Sequence, residues 1–260
     1  MAPVTLINVV DDADVRTVTM THQPRRNALG TALLGELLPA IEDADCRALI
    51  LRAEPGVTTW SAGHDVDDLP IDGTDPLAWT SPVEHLVRAV RGATFPVIAA
   101  VEGGAWGAAC NLAFACDLIV ATRTAAFAIT PAKLGVPYHS EGVAQFLAAV
   151  PAPVARAMFF TAEPLPADSP HLAGTVHLLV DTSDELTSQS QRLARRIASL
   201  APLSIHAVKA EINALTDARP LTVEVFEHLA SLRRQAWTSE DYREGLSAFR
   251  GRRAPDFHGQ

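Results

Sequence analysis

Pro96-Val97-Ile98-Ala99-Ala100-Val101-Glu102-Gly103-Gly104-Ala105-Trp106-Gly107-Ala108-Ala109-Cys110-Asn111 is the stretch on which the fold turns. Val97 to Val101 is an unbroken apolar run of strand length, the pattern of a strand covered on both faces. Gly103-Gly104 ends it with a turn. After Trp106 the small residues Gly107 to Cys110 open a helix, and Asp117-Leu118-Ile119-Val120-Ala121 returns as another buried strand. Strands followed by a helix, repeated, predict an α/β layer.

Working outward, Val4 to Val10 and Val15 to Met20 are β-branched segments separated by Asp11-Asp12-Ala13-Asp14, which reads as a hairpin. A helix is predicted over Thr31 to Glu42 from the spacing of Leu33, Leu34, Leu37, Leu38 and Ile41, with Pro39 disturbing its last turn. Ala48 to Ala53 reads as a buried strand and Val83 to Arg91 as a helix. Between them, Ser61 to Trp79 is rich in Gly, Asp and Pro, the composition of a long functional loop. Beyond about Ala152 the character changes. Ser183 to Leu200, Pro202 to Leu215, Leu221 to Trp237 and Ser239 to Arg250 are successive helical patterns, packed on the core or on a neighbouring subunit.

With 260 residues, 48% hydrophobic and 20% charged, the chain is long enough for one sizeable core with a helical appendage. Its apolar runs stop well short of the roughly 20 residues of a membrane helix. The opening Met1-Ala2-Pro3-Val4 lacks a basic and apolar leader, so a cytoplasmic protein is expected. Cys46, Cys110 and Cys116 show no metal-ligand spacing and read as reduced core thiols; no metal is expected. A net charge of −9 opposes binding to nucleic acid. Two basic islands stand out, Arg25-Arg26 and Arg250, Arg252, Arg253, and a small phosphorylated ligand needs only a few such groups.

Together with Trp60-Ser61-Ala62-Gly63-His64-Asp65 and Asp117 to Ala121, the first half of the opening stretch, Pro96 to Gly103, resembles the enoyl-CoA hydratase/isomerase (crotonase) superfamily. The likeness runs from Pro24-Arg25-Arg26-Asn27-Ala28-Leu29 to Ser239-Glu240-Asp241-Tyr242-Arg243-Glu244-Gly245 with Ala248-Phe249, nearly the whole chain. Ser61 to Asp65 followed by Leu69-Pro70, Thr130-Pro131 followed by Leu134-Gly135-Val136-Pro137-Tyr138, and Ser239 to Tyr242 are similar to its methylmalonyl-CoA decarboxylase branch. The resemblance implies a crotonase (ClpP-like) fold, with repeated ββα units in a spiral core over residues 1–182 that carries coenzyme A and the active site. Residues 183–260 would be a helical oligomerisation region, giving a homotrimer or a dimer of trimers.

The resemblance also implies roles. The backbone N–H groups of His64 and Ala108 would point at the thioester oxygen, where charge gathers as an enolate forms. Glycine is common in the family where Ala108 stands, and an added Cβ narrows the approach. Hydratases of the family hold and split water with two glutamates; those positions carry Asn111 and Pro131 here, and neither can act as a base. A site that stabilises an enolate without a proton-moving pair fits decarboxylation of methylmalonyl-CoA or a close 2-carboxyacyl-CoA, with coenzyme A entering only as part of the substrate and no other cofactor. Tyr138 is the candidate to orient the substrate carboxylate or return the proton, against the plainer reading of a tyrosine bridging core and surface. The backbone near Ala28 and at Ala62, Gly63 and Gly107 would cradle the ligand, and Arg25 and Arg252 are candidates for its phosphates.

Rival readings stay open. His139 and Glu141 read first as solvated loop residues; turned inward, either could serve as a base, which restores an enoyl-CoA hydratase/isomerase or an acyl-CoA hydrolase. A non-catalytic CoA-binding subunit would keep the pocket alone. Leu69, Pro70 and Trp79 are either an apolar wall beside the carboxylate or core packing.

Overall fold

A computed structural model describes residues 5–78, 80–217 and 222–259. Val4 and Leu221, predicted at the ends of elements, and Trp79 lie outside the described residues. The N-terminal hairpin forms from β1 (Ile7–Asp12) and β2 (Val15–Met20), paired antiparallel from Ile7↔Met20 to Asp12↔Val15. The first strand runs further into the acidic segment than the sequence predicts. Asp11 stays in solvent and pairs with Arg16 across the turn, so its charge costs the strand little. In α1 (Thr31–Glu42) the buried stripe Leu33, Leu34, Leu37 and Ile41 carries the helix through Pro39, which removes one internal hydrogen bond without ending it.

Three ββα turns follow. They are β3 (Ala48–Ala53), β4 (Thr59–Ser61) and α2 (Pro82–Gly92); β5 (Val97–Val101), β6 (Gly104–Trp106) and α3 (Ala108–Ala115); β7 (Leu118–Thr122), β8 (Ala126–Ala128) and α4 (Ser140–Ala149). Then come α5 (Ala152–Thr161), β9 (Leu165–Pro166) and β10 (Leu178–Val180). The first strand of each turn enters a larger sheet ordered β1-β2-β3-β5-β7-β10, parallel except for the β1–β2 hairpin. The second strand enters a smaller sheet ordered β4-β6-β8-β9. This is the spiral of ββα units that the resemblance implies.

Both faces of the sheet's central strands β3, β5 and β7 are buried, which is why these read as nearly continuous apolar runs. Leu49, Leu51, Val97, Ala99 and Val101 face the main core with α1, α2 and α3. Ala48, Ile50, Ile98, Ala100 and Val120 face the other way, against Leu186, Ala194 and Ala198 of α6 (Ser183–Ala198). Each fully buried Val, Leu or Ile side chain contributes about 1.5–3 kcal/mol. A capping box between Thr182 and Glu185 fixes where α6 begins. Thus the first of the C-terminal helices supplies the sheet's second cover.

The remaining helices are α7 (Pro202–Asp217), α8 (Val223–Trp237) and α9 (Glu240–Arg250). Lys209 fastens α7: its buried Nζ donates to Val90 O and Phe95 O and pairs with Asp117 at 2.7 Å. Gly245 lets α9 cross the turn at Pro131–Leu134 closely, since a Cβ there would lie 2.4 Å from Leu134 O. α9 is thereby seated on the segment that leads into Tyr138. Among the described residues no helix is long and apolar enough to cross a membrane. The cysteines are free, and burial pushes the Cys110 and Cys116 thiols well above their ordinary range, which leaves them inert.

Candidate active site

The site begins with a clasp between two loops. Arg26 and Asn27 take left-handed conformations at φ 51° and 49°, so the chain after Gln23–Arg25 doubles back. The turned segment is tied to the end of β4. Ala62 N donates to Arg26 O at 2.8 Å, Leu29 N to Gly63 O at 2.7 Å, and Ser61 Oγ to Asn27 O at 2.7 Å. Asn27 Nδ2 donates to Trp60 O from full burial. These bonds bring Ala28, Ala62, Gly63 and His64 side by side.

Gly63 then presses this loop against the β6–α3 junction. Its φ is +82°, and a Cβ built on it would stand 2.2 Å from Trp106 O and 3.1 Å from Ala108 N. Only glycine fits so close a crossing. Gly107, at φ 53°, turns the chain into α3, so Ala108 N–H is a first-turn donor with no partner inside the helix. Among the described residues neither the His64 nor the Ala108 backbone N–H donates a hydrogen bond. Two unused donors therefore lie on adjoining backbones at the positive end of a helix, a place suited to a developing oxyanion. The His64 imidazole is engaged with its own loop, Nδ1 lying 3.1 Å from Asp65 O.

Around these donors the side chains are weak acids and bases at best. Asn111 is 1% exposed and its Oδ1 has no hydrogen-bond partner, an acceptor that a ligand donor would satisfy. Pro131 opens the Pro131–Leu134 turn beside Gly107, and a Cβ on Gly107 would meet Thr130 Oγ1 at 3.0 Å and Pro131 Cδ at 4.0 Å. The sequence singles out no role for Thr130, although it directly precedes Pro131 in the motif that carries the resemblance to one branch of the family. The Tyr138 hydroxyl lies 3.5 Å from Gly107 O, so the phenol reaches the same corner. Burial, with smaller effects from Cys110 and Glu84, raises its pKa well above the ordinary value. It is a neutral donor throughout the physiological range.

His139 is not a free base. Its Nδ1 accepts from Gly142 N at 3.1 Å, capping α4, and its Nε2 lies 3.0 Å from Glu84 Oε1. The latter approach is oblique, an electrostatic contact and not an aligned hydrogen bond. With Nδ1 accepting, the proton of the neutral ring is on Nε2. Glu141, in the first turn of α4, is half-buried; its pKa is raised by burial, offset in part by His139 and by Arg88 and Arg91 of α2. Glu84 itself is 4% exposed and went unremarked in the sequence. The one available signal was a carboxylate beside Val83 on a helix whose other buried positions are apolar.

Arg25 reaches across the clasp to the other loop, donating to Asp65 and Asp67 at 2.7 Å each, so two carboxylates already answer its charge. Arg252 is exposed just past α9, and no hydrogen bond or ion pair among the described residues links it to the other candidates. Leu69 shares an apolar cluster with Val136, Trp237, Tyr242 and Leu246, against which Tyr138 packs. Pro70 O accepts from Tyr242 Oη at 2.5 Å, and burial pushes that phenol up to about 12. Trp237 Nε1 donates to Gly73 O at 3.0 Å, and Arg233 pairs with Asp75 at 2.6 Å while lying over the Trp237 ring. The loop after Asp68 is strapped down by α8 and α9.

This arrangement is that of a family whose model, enoyl-CoA hydratase/isomerase, matches residues 11–260, and the chain belongs to it. It is 34% identical over 256 residues to methylmalonyl-CoA decarboxylase of Escherichia coli (strain K12), covering 97% of this chain and 98% of that protein. It is 32% identical to the human mitochondrial enoyl-CoA hydratase domain-containing protein 3, over 93% of this chain and 80% of that one. Among solved structures, methylmalonyl-CoA decarboxylase in complex with 2-nitronate-propionyl-CoA superposes with a TM-score of 0.95 at 33% identity, covering 98% of this chain and 99% of that one. The family thus includes relatives named for different reactions, and the particular reaction of this chain has to be argued from its site.

Proposed function

We propose that this chain is a carboxy-lyase that decarboxylates methylmalonyl-CoA, or a close 2-carboxyacyl-CoA, to propionyl-CoA or the corresponding shortened acyl-CoA. One observation carries the reading: the unused N–H groups of His64 and Ala108 sit beside Asn111, Pro131 and a neutral Tyr138, with no free base among them. The likeness to a methylmalonyl-CoA decarboxylase over nearly the full length supports it.

The bond between C2 and the substrate carboxylate breaks, and its electron pair moves into the thioester carbonyl. Carbon dioxide leaves. The enolate oxygen takes the two backbone hydrogen bonds, each worth about 2.7–4 kcal/mol in the transition state. Tyr138 orients the carboxylate out of the thioester plane or passes its proton to C2 and regains it from solvent; on either course C2 takes up one proton, ultimately from water, which completes the shortened thioester. Ala28, Ala62, Gly63 and Gly107 line the path of the CoA chain. Arg252 is the candidate for its phosphates, from this subunit or another; Arg25 would serve only by exchanging its carboxylate partners. The reaction needs no metal or prosthetic group.

Incubation with methylmalonyl-CoA, malonyl-CoA, ethylmalonyl-CoA and crotonyl-CoA, with products resolved by mass, tests this directly. Loss of carbon dioxide from the carboxylated substrates, much faster than addition of water to crotonyl-CoA, is the expected result. Efficient hydration with no carbon dioxide released would overturn it, and release of free CoA would point to a hydrolase.

The same proposal includes a homotrimer or a dimer of trimers built through the C-terminal helices. Its support is apolar surface left open on α7 and α8, where Leu203, Leu215 and Val223 are 82%, 77% and 73% exposed. A mass of three or six chains is expected by light scattering; a monodisperse monomer at working concentration would contradict it.

A further inference from the structure

The buried pair of Glu84 and His139 has no part in the reaction just described, yet it adjoins the residue that does. The Tyr138 ring lies parallel to the His139 imidazole, with centroids 5.9 Å apart and planes 11° from parallel. Phe146 and Phe159 meet it edge-on at 5.9 and 5.2 Å. On a further side it packs on Gly142, where a Cβ would come within 2.7 Å of a ring carbon. His139 has a neighbour at each of its ring nitrogens. Its Nδ1 holds the first turn of α4, and its Nε2 faces Glu84 of α2, a helix fixed in the main core through Leu86, Val87 and Val90. A carboxylate at 6% and an imidazole at 9% side-chain exposure do not share a dry site without a compensating contact between them.

We propose that Glu84 and His139 are positioning residues for Tyr138. Gly142 N–H fixes the Nε2–H tautomer, the Glu84 charge draws that edge of the ring toward α2, and the imidazole face holds the phenol at the corner beside Gly107. The inference depends on the role given to Tyr138 in the reaction, and the test below separates the two.

His139→Asn keeps an acceptor suited to capping α4 while losing the stacked ring and the reach to Glu84. Glu84→Gln keeps the shape and an oxygen acceptor while losing the charge. His139→Asn is expected to lower kcat about tenfold with KM changed less than about twofold, and Glu84→Gln to lower kcat by about threefold. Added to Tyr138→Phe, His139→Asn is expected to cost less than about twofold further, because a residue that acts only through Tyr138 has nothing left to position. The chain has two tyrosines, so 13Cζ-tyrosine labelling gives two signals. The Tyr138 signal is expected to move or broaden in both variants while that of Tyr242 stays in place. Full additivity with Tyr138→Phe, or an unmoved Tyr138 signal with wild-type kcat, would overturn the proposal. Should the parent release no carbon dioxide, the reaction assignment fails and the spectrum still decides the positioning: a moved Tyr138 signal supports it and an unmoved one overturns it. If His139→Asn does not fold, the near-isosteric Glu84→Gln carries the same two readouts.

Discussion

Gly63→Ala is expected to cut kcat by at least about a hundredfold while the protein still folds. Two effects add at this position. The backbone is at φ +82°, where a side chain costs roughly 1–2 kcal/mol, and the new methyl would have to share space with Trp106 O, 2.2 Å away. Relief comes only by moving the Ser61–His64 loop away from the β6–α3 junction, which separates the His64 and Ala108 donors. Losing one such donor costs about a hundredfold to a thousandfold in rate, and a misplacement of about 1 Å costs about a hundredfold. Gly56→Ala is the control. It stands at φ +78° with open space around it, so it bears the same backbone strain without the collision. Carbon dioxide release and melting curves for both variants decide the matter: activity lost in the first and kept in the second ties the donor spacing to Gly63, and an active Gly63→Ala protein would break that tie.

Tyr138→Phe is expected to lower kcat by about tenfold or more, about 1.4 kcal/mol, with little change in the binding of propionyl-CoA. The ring contacts with His139, Phe146 and Phe159 are retained, so only the donor is lost. Because burial keeps the phenol neutral well past its ordinary range, the deficit should be the same across neutral pH. A variant with wild-type kcat and an unchanged melting curve would make Tyr138 structural and leave catalysis to the oxyanion donors alone.

Much of this site was legible in the chain because its parts are local. Trp60 to Asp65 and Gly103 to Asn111 each contain the turn, the glycine and the donor they contribute, and the long apolar strands announce themselves by being covered on both faces. The smaller sheet left no such mark. Its strands, such as Gly104–Trp106 and Ala126–Ala128, are too short for a period to show. α4 was hidden for a related reason: it begins just after a proline and contains Gly142, so His139 and Glu141 looked like loop residues when they are a helix cap and its first turn. Least visible were the tertiary pairings. Nothing in the sequence near Arg25 says that Asp65 and Asp67 will occupy it, and nothing near His139 points to Glu84.

The straps from α8 and α9 to the loop after Asp68 bear on how a newly made molecule becomes active. Both sheets, the clasp at Ala62 and the oxyanion corner are formed by chain that leaves the ribosome before Trp237 and Tyr242, whose bonds to Gly73 and Pro70 secure that loop. An unfinished copy therefore carries the donor corner while the loop after Asp68 still lacks its fastening. The order of synthesis leaves the fastening of that loop to α8 and α9, after the corner it borders is in place.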